Sequence, residues 1–137
     1  LTDFVAGETA RIMEISQEYR DKGLSIAGAA ELTDQVVKDL AFSAERIAPF
    51  ELFIQAGRDP SLREAAAECF AAYDELTVTL LSVLGVPDPE SVVPTVVAII
   101  AGFQLRRLST GNSEQDITGA LMLLLRGAVA AALEQQP

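Results

Sequence analysis

The side chains of this chain that could do chemistry are carboxylates and a single thiol. The sequence holds 20 Asp and Glu residues, one cysteine (Cys69) and no histidine. Histidine is the side chain best suited to exchange protons near neutral pH, and one cysteine cannot form a disulfide or a zinc site within the chain. We therefore expect no catalytic residues, no metal site and no cofactor, so the chain is predicted not to be an enzyme.

The carboxylates and the thiol have simpler structural explanations. Glu14 and Glu18 lie one helical turn apart and could share a divalent cation, but solvated surface charge is the plainer interpretation. Another acidic group falls on the outer side of a predicted helix: Glu64, Glu68 and Glu75. Cys69 lies on an apolar stripe, where cysteine acts as a small hydrophobic residue. An enzyme would require a polar cleft with a perturbed carboxylate, and no known catalytic motif is present.

Aromatic residues in the middle of the chain recur at helical spacing, with a few polar residues among them. An apolar cavity with a few polar groups is typical of a small-molecule pocket. An ordinary core, with the polar groups exposed or bonded to backbone, is the alternative. The residues expected to bind a small, mainly apolar ligand are Phe50, Phe53, Phe70, Tyr73, Thr77, Phe103 and Gln104.

Helical periodicity and start and stop signals run along the whole chain, and no segment shows the period-two alternation of a strand. Asp59-Pro60 and Asp88-Pro89 are helix starts, and Gly23 and Gly85 are helix ends. We expect a break or kink between about Phe42 and Pro49. The sequence predicts one all-α domain over residues 1–137, a bundle of five to six helices. The predicted helices include about Thr2–Arg20, a helix from Asp59-Pro60 to Gly85, Glu90–Leu108 and Glu114–Gln135.

The last two predicted helices are apolar on nearly every side, whereas a surface helix needs only one apolar stripe. Pro94 and Arg126 interrupt them, so they do not predict a membrane span. We expect the second partner to be another copy of this chain; deep burial within the monomer is the alternative. Small residues would let helices approach closely across a two-fold axis. The expected dimer-interface residues are Val93, Val97, Gly119, Ala120, Leu123, Leu124, Gly127 and Ala131.

Charge and the start of the chain limit the partners further. The formal net charge is −10, which repels a phosphate backbone, so direct nucleic-acid binding by these residues is not expected. The chain opens at Leu1 already in helical periodicity and without a signal peptide. We interpret this as the absence of an upstream part; a trimmed tag is the alternative. A cytoplasmic location fits the single cysteine.

Three segments carry a resemblance to a known family: ELFIQAGRDPSLR (51–63), GVPDPE (85–90) and IIAGFQLRRL (99–108). In their order and spacing they resemble the C-terminal regulatory domain of TetR-family transcriptional regulators. The resemblance implies an all-helical domain that dimerises through its last two helices and holds a small effector among its middle helices. It also implies that DNA is contacted only by an N-terminal helix-turn-helix domain absent from this chain, with the first helix as the lever between them.

The sequence thus predicts the small-molecule-binding and dimerisation domain of a ligand-responsive transcriptional regulator. We expect a cytoplasmic homodimer with no membrane contact, and a repressor, with an activator as the alternative. A helical scaffold or protein-interaction module without a ligand is the alternative, and an interior without any cavity would favour it.

Overall fold

The computed structural model describes residues 1–23, 25, 28, 31, 47–111 and 117–135, and these contain helices and no strand. The all-α class predicted from the sequence is confirmed. A single 3-10 turn, Pro60–Leu62, joins the second and third helices. The helices are α1 (Thr2–Lys22), α2 (Ile47–Arg58), α3 (Arg63–Val83), α4 (Pro89–Thr110) and α5 (Ile117–Glu134).

Most helix ends follow the predicted signals. The Asp59 carboxylate accepts hydrogen bonds from the backbone N–H of Ser61 at 3.0 Å and from its hydroxyl at 2.7 Å. These two bonds, the hydroxyl first, hold the pKa of Asp59 below its usual value. After α3 the chain turns at Gly85, whose φ of +81° suits a residue without a Cβ. The predicted start of the last helix at Glu114 lies outside the described residues.

Prolines interrupt the helices less than expected. The prediction that Pro94 interrupts its segment is wrong, because α4 is continuous from Pro89 to Thr110. Pro94 is exposed, and only the one hydrogen bond that its missing N–H would give to the Glu90 carbonyl is lost. Pro49 is buried within the first described turn of α2, while residues 42–46 of the predicted kink lie outside the described part.

The first half of the described core forms between α1, α2 and α3. One cluster joins all three helices, with Leu52 and Cys69 fully buried at its centre. A neighbouring cluster continues along α1 and α3 through Ile12, Leu76 and Leu80. Arg63 Nε donates to the carbonyl oxygen of Ala56 and so ties the start of α3 to the end of α2. These contacts determine which side of α3 packs against α1 and α2.

The second half of the core lies where α4 meets the end of α3 and α5. Its buried residues come from all three helices: Leu81, Val92, Val93, Val96, Ile117 and Leu121. Among the described helices, α5 packs chiefly against α4. This cluster covers one side of α4 and one side of α5, and another side of each helix faces outward.

Candidate ligand site and outer apolar face

A cavity of about 50 Å³ lies between α2, α3 and α4, away from the carboxylates and the thiol. Its walls are made of aromatic and aliphatic side chains with two hydroxyls and one amide among them. The residues that line it are Pro49, Phe50 and Phe53 of α2, Phe70, Tyr73, Leu76 and Thr77 of α3, and Val97, Ile100, Ala101 and Gln104 of α4.

Three phenylalanine rings form one wall of the cavity. Phe53 stacks on Phe70 with ring centroids 4.3 Å apart and an interplanar angle of 28°. Phe50 meets Phe53 edge to face at 6.0 Å. Both arrangements are favourable aromatic contacts. Phe70 is 37% exposed, so its ring forms part of the boundary between the cavity and solvent.

Three lining side chains carry a polar group: Tyr73 and Thr77 on α3 and Gln104 on α4. The Thr77 hydroxyl donates to the backbone carbonyl of Tyr73 at 2.7 Å, which satisfies its donor within the helix. Gln104 is buried, with 8% of its surface exposed, and its amide carries two donors and an acceptor. Among the described lining residues none is charged, which makes the cavity wall neutral as well as largely apolar.

The cavity is small for a ligand site. Pockets for drug-sized ligands have volumes of roughly 300–1,000 Å³, so a ligand of that size enters only if lining side chains move. The Phe53–Phe70 stack is the natural place for this movement, because Phe70 already borders solvent and aromatic side chains rotate about only two bonds.

Six of the seven residues predicted to bind a ligand line this cavity. The seventh, Phe103, lies elsewhere: it is half-buried and packs against the cluster between α4 and α5. The sequence analysis missed five lining residues: Pro49, Leu76, Val97, Ile100 and Ala101. Those on α4 share a face with Gln104, at spacings of three and four residues, which is the signal that would have found them.

The outer face of α4 and α5 exposes large apolar side chains. The most exposed are Leu123 at 72% and Leu133 at 62%, with Leu105, Met122 and Val129 also exposed. Of the predicted dimer residues, Leu123, Gly127 and Ala131 are exposed, and Gly119, Ala120 and Leu124 are half-buried. Val97 lines the cavity and Val93 is 2% exposed inside the chain's own core, so both of these side chains are used within the monomer.

At two glycines of this outer face, the residues that the structure describes leave open space where a side chain would stand. Gly102 of α4 and Gly127 of α5 are exposed, and a Cβ added at either would meet no atom within 4 Å. Glycine inside a helix is less stable than alanine by roughly 0.5–1 kcal/mol. No contact among the described residues explains why glycine, rather than alanine, stands at these two positions.

The described residues contain no group of three or more His, Cys, Asp or Glu that could hold a metal ion. Glu14 and Glu18 are exposed on α1, and Cys69 is fully buried. Burial raises the pKa of Asp74, which is half-buried on α3. Asp74 is not among the residues that line the cavity.

Among the described residues, α4 alone is long and apolar enough to cross a membrane, judged by length and composition. This helix has 22 residues and no break at Pro94, and about 20 apolar residues are enough to span a bilayer. A core helix of a soluble protein passes the same test, so this property is weak support for a membrane span.

The chain matches a known protein family. The profile described as "Tetracyclin repressor-like, C-terminal domain" matches residues 25–135. Comparisons with curated proteins and with solved structures returned no match. The profile confirms the resemblance carried by residues 51–63, 85–90 and 99–108. Because it covers most of a chain whose described residues are helical, this chain belongs to the family of tetracyclin repressor-like (TetR) C-terminal domains.

Proposed function

We propose that the chain is the effector-binding and dimerisation domain of a ligand-responsive TetR-family transcriptional regulator, acting as a cytoplasmic repressor. Family membership supports a regulatory rather than a catalytic role. The observation that carries the proposal is the neutral, largely apolar cavity between α2, α3 and α4. On this proposal, DNA is bound by a separate helix-turn-helix domain.

The outer face of α4 and α5 supports the dimer. Leu105, Leu123 and Leu133 are each at least 47% exposed, and large apolar side chains exposed together mark interaction surfaces. Gly102 and Gly127 leave room for a second pair of helices to approach closely. A two-fold arrangement satisfies both features at once, because each copy presents the same patch to the other.

The position of α4 links the two proposed sites. On one side of α4, Ala101 and Gln104 line the cavity. On another side, Gly102 and Leu105 belong to the outer face. A ligand that displaces α4 on entering the cavity therefore also displaces the dimer surface. Its binding free energy is coupled to the dimer arrangement if the two arrangements differ in affinity for it.

A cavity-filling variant tests the ligand site. Ala101→Leu places extra carbon atoms in the cavity, and Ala71→Leu adds the same atoms at an exposed position of α3. We screen uncharged aromatic and alicyclic compounds for a rise in melting temperature of the wild-type chain. The stabilisation by a hit, measured against each variant's own melting temperature, should disappear in Ala101→Leu and persist in Ala71→Leu.

Tyr73→Ala is a second probe of the same wall, and it should also reduce the shift. A library without a single stabilising compound, or hits that stabilise Ala101→Leu as strongly as wild type, would contradict the proposed ligand site. Either result would favour a helical scaffold without a ligand.

A further inference from the structure

The Gln104 side chain is buried against the cavity without a hydrogen-bond partner in the described chain. It is 8% exposed and lines the cavity wall, and no hydrogen bond of its amide joins it to any residue that the structure describes. Its amide nitrogen and oxygen are not among the fully buried unpaired atoms of the described residues, so the amide stays open to water or to a molecule in the cavity.

The surroundings of Gln104 define what could pair with it. The other lining residues of α4 are Val97, Ile100 and Ala101, which offer no polar side-chain atom. Thr77, across the cavity on α3, already donates its proton to the Tyr73 carbonyl. Tyr73, whose phenol also lines the cavity, has an interaction of its own. Among the described lining residues, Gln104 therefore has the amide that offers both donors and an acceptor to a bound molecule.

From this arrangement we infer that Gln104 determines ligand specificity, by pairing with one uncharged hydrogen-bonding group on an otherwise apolar, ring-containing ligand. The inference rests on the proposed ligand site. An amide both donates and accepts, so its best match is a group that does the same, such as a carboxamide or lactam. The apolar remainder of the ligand then lies against the ring of Phe50 or Phe53.

Charged ligands fit this site poorly. No described lining residue carries a charge, so an anion or a cation would lose its hydration without gaining an opposite charge. Burial of an unpaired ion is far less favourable than burial of a neutral polar group. The ligand class is thus neutral at the pH of binding, and its discrimination comes from hydrogen bonding rather than from charge.

Four probes of the same size isolate the contribution of Gln104: benzamide, toluene, benzoate and benzamidinium. They share one ring and differ in a neutral amide, a methyl group, an anion and a cation. Their dissociation constants are measured by NMR titration of the whole chain, following the amide signals of the cavity residues. Wild type should bind benzamide most tightly of the four.

Gln104→Leu should weaken benzamide binding by about tenfold, the scale of the lost hydrogen bonds to an otherwise buried amide. Toluene affinity should stay the same or rise. The matched control is Gln55→Leu, at an exposed glutamine of α2 outside the cavity lining, and it should change neither constant. If Gln104 served only to hold the fold, Gln104→Leu would weaken both probes equally.

The outcomes separate this inference from the function on which it rests. Toluene or benzoate binding to wild type as tightly as benzamide would overturn the role of Gln104 and leave the ligand site standing. The same conclusion follows if the preference for benzamide survives in Gln104→Leu. Failure of all four probes to shift the cavity signals would count against both. The wild-type preference is measured without any variant, so it remains decisive if Gln104→Leu does not fold.

Discussion

Helices α3 and α5 are both rich in apolar residues, yet they differ in how much apolar surface they leave exposed. In α3, Leu76, Leu80 and Leu81 are buried, and Phe70 is the only large aliphatic or aromatic side chain that is exposed. In α5, four large apolar side chains are exposed. The neighbours account for this difference: α1, α2 and α4 pack against α3, whereas α5 packs chiefly against α4. On the dimer proposal, the exposed side of α5 is where a second copy would pack.

The largest expected effect is on the enclosed side of this comparison. Leu52→Ala removes a fully buried side chain from the cluster between α1, α2 and α3 and should lower the free energy of unfolding by about 2–5 kcal/mol. Urea denaturation measures the change. Ile54→Ala, at a 59% exposed position of the same helix, should stay within about 0.5 kcal/mol of wild type. Equal losses of unfolding free energy in both variants would show that the exposure of a side chain does not predict its contribution to stability in this chain.

The next effect is on the open side. Leu123→Glu places a charge at the most exposed large apolar residue of the chain's described part. If this residue is buried between two copies, the unpaired charge should weaken dimerisation by about 3 kcal/mol or more, and light scattering should give the monomer mass.

Ile54→Glu is the matched control for that charge, since Ile54 is exposed on α2, and it should leave the mass unchanged. A dimer mass that persists in Leu123→Glu would move the interface away from this face of α5.

The smallest expected effect comes from one substitution that should stabilise the monomer and weaken the dimer. Gly127→Ala should stabilise helix α5 by about 0.5–1 kcal/mol, because a Cβ there meets nothing within the chain. In the proposed dimer the same methyl group should hinder close approach of the partner helix. Melting curves across a protein concentration series should therefore show a gain at low concentration that shrinks or reverses at high concentration.

Gly7→Ala provides the control, because Gly7 is also exposed inside a helix with open space around its Cβ. It should raise the melting temperature equally at every concentration. A uniform gain in Gly127→Ala as well would show that no partner approaches this glycine.

The fold was largely predictable because local signals mark most of the described helix ends. Asp59-Pro60 and Gly85 act through hydrogen bonds and backbone angles that involve few residues, so the sequence alone identifies them. The cavity walls on α2 and α3 were predictable for a related reason, since Phe50, Phe53 and Phe70 stand out among smaller neighbours.

The α4 wall was harder, because that helix is apolar on nearly every side. Hydrophobic periodicity assigns a face only when one side of the helix is polar. Phe103 was expected in the cavity and packs against the α4–α5 cluster, whereas Val97 was expected at the dimer seam and lines the cavity. Only the positions of the neighbouring helices separate these two faces.

Because α5 packs chiefly against α4, we expect it to open locally more often than the enclosed helices. A helix that packs mainly against one neighbour can open locally without global unfolding of the chain. The backbone amides of α5 should therefore exchange with deuterium sooner than those of α3. A second copy seated on the outer face would close that opening by mass action. The exchange rate of α5 would then report on assembly, and a protease acting on dilute protein should cleave α5 before α3.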